Sequence, residues 1–151
     1  MKPNTSKSNS PTSGHIRIIS GQYRGRKLPV KDVQGLRPTT DRVKETLFNW
    51  LMNDVRDTVV LDCFAGSGGL GFEALSRYAS SVTFIEKDNI AAQQIKSNIS
   101  TLKNSNATLI QGDALLLLAK NTRQFNLVFI DPPFRQGLAQ PLCDLLVEKN
   151  A

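Results

Sequence analysis

Four acids in the second half of the sequence each close a short apolar run. Asp62 follows "TVVL", Glu86 follows "SVTFI", Asp113 lies just past "ATLIQ", and Asp131 follows "NLVFI". After Asp62 comes "CFAGSGGLG", where Gly66, Gly68 and Gly71 spell G-x-G-x-x-G, with Glu86 about twenty residues further on. Glycines let a ligand approach the backbone closely, and an acid in the position of Glu86 can accept from two ribose hydroxyls. Both features suit a dinucleotide and S-adenosylmethionine equally. Asp62 separates them, because a pyrophosphate gains nothing from a carboxylate there, whereas a sulfonium ligand carrying an ammonium group is attracted to it. Asp113 can accept from an adenine amino group. The four acids together favour a methyl donor over a nicotinamide. The plainer readings are a tight turn for the glycines and a helix N-cap for Asp113.

The fourth acid opens "DPPF", Asp131 to Phe134. Prolines cannot continue a central strand, so the chain turns out of the sheet there and leaves a carboxylate and a ring on its rim. An exocyclic amine is a poor nucleophile because its lone pair is delocalised into the base. The Asp131 carboxylate and the Pro132 carbonyl oxygen can hold both amino hydrogens and aim that lone pair at a methyl group. Pro132 and Pro133 fix φ and present no competing N–H. Phe134 can stack on the base, a contact worth about 1–3 kcal/mol where base–aromatic stacking has been measured. Catalysis of this kind is mostly positioning and desolvation around an in-line displacement. The alternative is a strand-ending turn with a buried ring.

Residues with this chemistry need a frame. The apolar runs 58–62, 81–86, 107–113 and 126–131 alternate with helical patterns at 70–79, 89–102 and "ALLLLA". In the second helix Ala91, Ile95, Ile99 and Leu102 share a face. Near-continuous apolar strands alternating with helices predict a parallel sheet covered on both faces. Right-handed crossovers bring its strand C-termini to one edge, where ligands bind in such folds. No internal repeat is present.

The first third of the chain reads differently. Residues 1–14 form a polar Ser/Asn/Thr-rich tail, expected to be disordered and without the apolar region of a signal peptide. Residues 15–57 follow as a basic extension, and 58–151 as the ligand-binding core. "IRII" and "RKLPV" flank a glycine-containing connection that predicts a hairpin. "RPTTDRVKETLFNWL" predicts a helix capped by Thr39 or Thr40, with Val43, Leu47, Trp50 and Leu51 on one face. The net charge of +6 resides wholly in this part: residues 1–60 hold eleven Lys and Arg against five Asp and Glu, and the remainder eight against eight. Clustered Arg and Lys, with Tyr23 and glycines among them, favour a polyanion over a merely solubilising surface.

Composition excludes several classes. No apolar run approaches the roughly 18 residues needed to span a bilayer. Cys63 and Cys143 have no second ligand at metal spacing and read as free thiols in a reducing cytoplasm. The one histidine, His15, sits at the end of the tail, which argues against a histidine triad or metal cluster. No metal, no membrane partner, a cytoplasmic location and a monomer are expected.

"DPPF" matches the [DN]-P-P-[YFW] signature of amino-methyltransferases, and "LDCFAGSGGLGFEALSR" resembles their adenosylmethionine loop. Together with "RIISGQYRGRKLPV" and "RPTTDRVKETLFNWL", the chain from Arg17 to Phe134 resembles the bacterial RsmD family, which methylates the N2 amine of a guanine, guanine 966, in 16S ribosomal RNA. The resemblance implies a doubly wound, Rossmann-like α/β fold of the class I methyltransferase type, with S-adenosylmethionine as cofactor. Its partner would be 16S ribosomal RNA or the assembling small ribosomal subunit. By the same resemblance Asp62, Phe64, Ala65, Gly66, Gly68, Glu86, Asp113, Ala114 and Thr39 would hold the donor. Asp131, Pro132, Pro133 and Phe134 would hold the target base, with the "RPT" segment (Arg37, Pro38, Thr39) over the site. Arg17, Arg24, Arg26, Lys27, Arg37 and Arg42 would contact RNA.

The class carries seven strands, and this sequence reads as truncated after the fourth. "LAQPLCDLLVEKN" reads as helical, which would leave the fourth strand an unprotected edge. A DNA adenine-N6 methyltransferase, a nicotinamide-dependent oxidoreductase and a catalytically inactive RNA-binding fragment are the alternative readings.

Overall fold

The computed structural model describes residues 13–31, 40–119, 125–130 and 146–149. It opens with an antiparallel hairpin of β1 (Ser13–Arg17) and β2 (Lys27–Lys31), followed by helix α1 (Asp41–Trp50). The alternating part then runs β3 (Val59–Cys63), α2 (Gly69–Ser76), β4 (Ser81–Glu86), α3 (Asn89–Leu102), β5 (Ala107–Gln111), α4 (Ala114–Ala119), β6 (Leu127–Ile130) and β7 (Leu146–Lys149). The main sheet has the order β5-β4-β3-β6-β7, and β3 to β6 are parallel. The chain grows outward from β3 through β4 to β5, then returns to the other side of β3 as β6. The switch point of the doubly wound sheet therefore lies between β3 and β6.

The expected open edge at β6 is corrected by the structure. Within the segment read as helical, Leu146–Lys149 forms a strand antiparallel to β6, with Phe129 opposite Val147. An open edge strand presents a row of unpaired N–H and C=O groups, and β7 pairs them. The expectation of four fully covered strands also needs correction at β5, whose residues are all exposed or half-exposed because among the described residues it has a neighbour on one side only.

Alternation along the strands divides the core. Val60, Val82, Phe84, Leu127 and Phe129 face a large cluster that also contains α2, α3, α1 and the hairpin. Leu61, Cys63 and Ile85 face the smaller cluster with Ala114 and Phe125. Two ring pairs seam the larger side: Phe72–Phe84 at 4.7 Å between centroids and Phe48–Phe129 at 5.6 Å. On α3 the expected face is buried at Ala91, Ile95 and Leu102, with Ile99 packed against it, and Asp88 caps the helix by accepting from the Ala91 N–H.

Thr40 caps α1, accepting from the Val43 N–H at 3.2 Å. The buried stripe of α1 is turned in part from the expected one, keeping Leu47 and, just past the helix, Leu51, but only half-burying Val43 and leaving out Trp50. It comprises Lys44, Leu47 and Phe48, while Trp50 is 67% exposed. The cause is a charge. Lys44 and Glu73 of α2 are buried to 1% and 0% exposure, and their charged atoms lie 3.7 Å apart. The Lys44 ammonium also donates to the Arg17 carbonyl at 2.5 Å. The Glu73 carboxylate accepts from the backbone N–H of Ile19 (2.9 Å) and Ser20 (3.1 Å), and from Arg77 Nε at 2.8 Å. One buried carboxylate thus joins the hairpin, α1 and α2. Burial lowers the Lys44 pKa, and the nearby Glu73 and Asp41 charges oppose that shift.

The hairpin connection docks beside this node. Gln22 N–H donates to the Ser76 carbonyl and Tyr23 N–H to Ser76 Oγ, both at the end of α2. Gly21, at φ 94°, is required there because a Cβ would overlap the Ser76 carbonyl. Removing one partner of a buried pair leaves the other charge uncompensated. Glu73→Ala should therefore lower stability by about 3–5 kcal/mol, read as the shift in a urea midpoint. Adding Lys44→Met should recover part of that loss, and a Glu73→Ala midpoint equal to wild type would show that the node holds nothing together.

Candidate active site

The residues singled out at the strand ends are brought together. Glu86 closes β4, and its Oε1 accepts from the Gly66 N–H at 2.7 Å, so the acid and the glycine loop touch. Its Oε2 accepts from the Asp88 N–H at 2.9 Å. The Ala65 N–H donates to the Ile85 carbonyl, and the Gly112 N–H to the Glu86 carbonyl. The turns after β3, β4 and β5 thereby form one continuous rim. Each carboxylate oxygen has two lone-pair directions, so Glu86 keeps acceptor capacity after binding these two amides.

The loop itself is built around backbone that only some residues tolerate. Gly66 and Gly68 have φ of 61° and 85°. A Cβ on Gly68 would come within 2.7 Å of the Phe72 ring, and one on Gly71 would overlap the Phe84 ring. Gly71 therefore serves close packing of α2 on β4, while Gly66 and Gly68 shape the turn. Phe64 also takes a left-handed conformation, at φ 54°. For a bulky residue this is strained backbone, of the kind that collects at functional turns.

Asp62 is buried, and its Oδ2 accepts from the Gly71 N–H at 3.0 Å, fixing the first turn of α2. Ser67 Oγ accepts from the Gly69 N–H at 3.3 Å, a contact within the turn before α2 that the sequence reading did not identify. Asp113 sits at the start of α4, where its Oδ1 accepts from Leu116 N–H at 3.4 Å, as an N-cap does. Its other oxygen lies 3.9 Å from the ammonium of Lys87. Lys87 directly follows Glu86 and is another residue not considered from the sequence. Ala114 is buried behind Asp113, and Ala65 is half-buried.

β6 ends at Ile130, in register with Cys63 just before the glycine loop. Asp131, Pro132, Pro133 and Phe134 follow it in the chain and lie outside the described residues, as do Arg37 and Thr39. Among the basic candidates, Arg17, Arg24, Arg26, Lys27 and Arg42 are all exposed. Arg17 and Lys27 stand directly opposite each other across the hairpin. Two like charges in a cross-strand pair are unfavourable, and a bound anion relieves them. Tyr23 is a different case from the one its sequence context suggested. Its hydroxyl accepts from Asn104 Nδ2 at 2.7 Å and its ring packs on the core, so it braces the hairpin.

Among the described residues no group of three or more His, Cys, Asp or Glu could hold a metal ion, and no helix is long and apolar enough to cross a membrane.

A parallel sheet that reverses at β3 and β6, with a glycine loop answered by an acid at the end of β4, is the architecture of the class I methyltransferases. A family model described as "Conserved hypothetical protein 95" matches residues 16–151, and the chain belongs to that family, the RsmD family of methyltransferases. It is 56% identical over 144 residues to ribosomal RNA small subunit methyltransferase D of Escherichia coli (strain K12), covering 95% of this chain and 73% of that protein. The protein of the same description from Haemophilus influenzae is 54% identical over 141 residues, covering 91% and 73%. A solved Escherichia coli methyltransferase structure, yhhF, superposes with a TM-score of 0.75 at 58% identity, covering 85% of this chain and 70% of that one. A methyltransferase is what this chain is, which sets aside the nicotinamide reading.

Cys63, one residue from the loop, is buried, and burial followed by the Asp62 charge pushes its thiol up to about 12 from an ordinary 9.0. Between those values the unfolded chain releases a proton that the folded chain keeps, so rising pH favours unfolding. The contribution of Cys63 is full below pH 9.0 and is lost as pH climbs towards about 12. Alkylation at pH 8.5 followed by peptide mapping should find Cys63 unmodified in the folded protein and modified in denaturant.

Proposed function

We propose that this chain methylates ribosomal RNA of the small subunit, transferring the methyl group of S-adenosylmethionine to the exocyclic N2 amine of guanine 966 in 16S ribosomal RNA. The observation that carries the reading is the junction of Glu86 with the Gly66 amide at the switch-point edge. The rim suits the donor in turn geometry and charge: Gly66 and Gly68 supply the left-handed backbone of the loop, and a carboxylate with remaining acceptor capacity lies beside it. S-adenosylmethionine supplies an electrophilic methyl group on a sulfonium centre. Glu86 would hold its ribose hydroxyls, Asp113 and the neighbouring Ala114 its adenine, and Phe64, Ala65, Gly66 and Gly68 would line its path. Thr39 would close over it. Asp62, braced on Gly71, would lend negative charge to the loop floor.

On the substrate side, Asp131 and the Pro132 carbonyl would orient the amine, with Pro133 and Phe134 shaping and stacking the base. These roles rest on residue chemistry, at positions that directly follow β6 in the sequence. The hairpin and α1 form the RNA-contacting extension, carrying Arg17, Arg24, Arg26, Lys27 and Arg42, with Arg37 between them in sequence. The like-charged pair Arg17 and Lys27 supports that assignment. The identity to small-subunit RNA methyltransferases supports the choice of RNA over DNA.

Two substitutions test the reading. Asp131→Ala should cut labelled-methyl transfer to small-subunit RNA by about 10²-fold or more while leaving calorimetric affinity for S-adenosylhomocysteine nearly unchanged. Glu86→Ala should weaken that affinity about 10- to 100-fold, the range for hydrogen bonds to a charged group. Equal loss of transfer and donor affinity in Asp131→Ala would remove it from the substrate side.

A further inference from the structure

The described residues contain an open cleft of about 560 Å³ away from the glycine loop, between the hairpin connection, α1 and the end of α2. Arg24, Arg56 and Arg77 line it, together with Tyr78, and Glu45 is the one acid among its lining residues. Resting on the reading above, we propose that this cleft is a second RNA site, which takes the phosphodiester backbone of the substrate at a distance from the target base.

The cleft lies at the far end of the sheet from the donor rim. Val55 and Arg56 come just before β3 begins, and Arg77 and Tyr78 come just after α2 ends, whereas the glycine loop joins the opposite ends of these elements. The eight residues of α2 span about 12 Å, so Arg77 beyond its far end lies about that length from the glycine loop. A phosphate in the cleft therefore belongs to a nucleotide other than the one being methylated.

The arginines are held in place for anion binding. The Arg56 guanidinium lies 4.4 Å from the Tyr78 ring centroid, and that of Arg77 lies 4.9 Å from the Phe48 ring. Stacking fixes the plane of a guanidinium and leaves its N–H edge available to a phosphate. Arg77 donates its Nε to buried Glu73, which leaves the donors on its terminal nitrogens. Neither Arg24 nor Arg56 is in an ion pair among the described residues. Arg24 is brought to the cleft by the connection pinned on Ser76. Three guanidinium groups converging on an open cleft with one opposing acid are complementary to a polyanion.

The test uses the whole chain and a transcript of a small-subunit ribosomal RNA hairpin with its flanking helix. Affinity is measured against salt for wild type, Arg56→Gln, Arg24→Gln and the double variant. Each lost phosphate contact should flatten the slope of log affinity against log salt by about 0.7–0.9, and the double variant by about 1.4–1.8. Affinity for S-adenosylhomocysteine and the melting temperature should match wild type, which separates lost contact from misfolding. A wild-type slope in Arg56→Gln overturns the cleft even if Arg24→Gln loses its share. Loss of binding to whole small subunits with transcript binding unchanged would overturn it in favour of a protein contact. A wild-type chain that binds the transcript without salt dependence overturns the ribosomal RNA reading together with the cleft.

Discussion

A single buried carboxylate holds the two halves of this chain in register. Glu73 sits on α2, whose first turn belongs to the glycine loop, and it receives two backbone amides of the hairpin, the Arg77 side chain and the Lys44 ammonium. Desolvating a carboxylate and an ammonium costs several kcal/mol each, and such a pair is kept only where every lone pair and proton finds a partner. The hairpin amides of Ile19 and Ser20 are part of that satisfaction. Without the hairpin, the node would hold an underbonded charge inside the larger core. The N-terminal segment is thus bound to the core by polar geometry as well as by Ile16, Ile18, Leu28 and Val30.

The same logic explains how the rim is built. Asp62, Ser67 and Glu86 each accept backbone N–H groups of the loop or its surroundings, so the glycine turn is defined by acceptors beneath and beside it. Its glycines then cost no side-chain packing. The loop is tied to β4 through Gly66 and to α2 through Gly71, and Gly66 and Gly68 are themselves buried.

Much of the fold was legible because the signals were local. Apolar runs of strand length, interrupted by glycines and helical patterns, gave β3 to β6 within a residue or two, and α3 and α4 at their observed bounds. The convergence of Glu86 and Gly66 was legible because parallel topology fixes which strand ends meet. What was not legible depended on partners far away in sequence. Trp50 looked like a core residue on α1, but Lys44 took the buried face because Glu73 lies 29 positions later. Tyr23 read as part of a basic cluster facing a polyanion, but Asn104, 81 positions away, donates to its hydroxyl and its ring packs on the core. β7 was hidden because "LLVEK" carries no more strand signal than helix signal on its own, and the open ladder of β6 decides the matter.

The placement of β3 has a consequence for the order in which the chain can be assembled. Its neighbour β4 follows it closely, but the Val59 amide finds its partner in Asn126, 67 residues later. At synthesis rates of about 5–20 residues per second, that interval is roughly 3–13 s. During it the hairpin, α1, α2, β3, β4, α3 and β5 are already available to pair, while one side of the central strand stays open. Closing long loops is slow compared with local pairing. The open side of β3 is therefore closed late, by the arrival of β6 next to the glycine loop, and β7 completes the sheet after it.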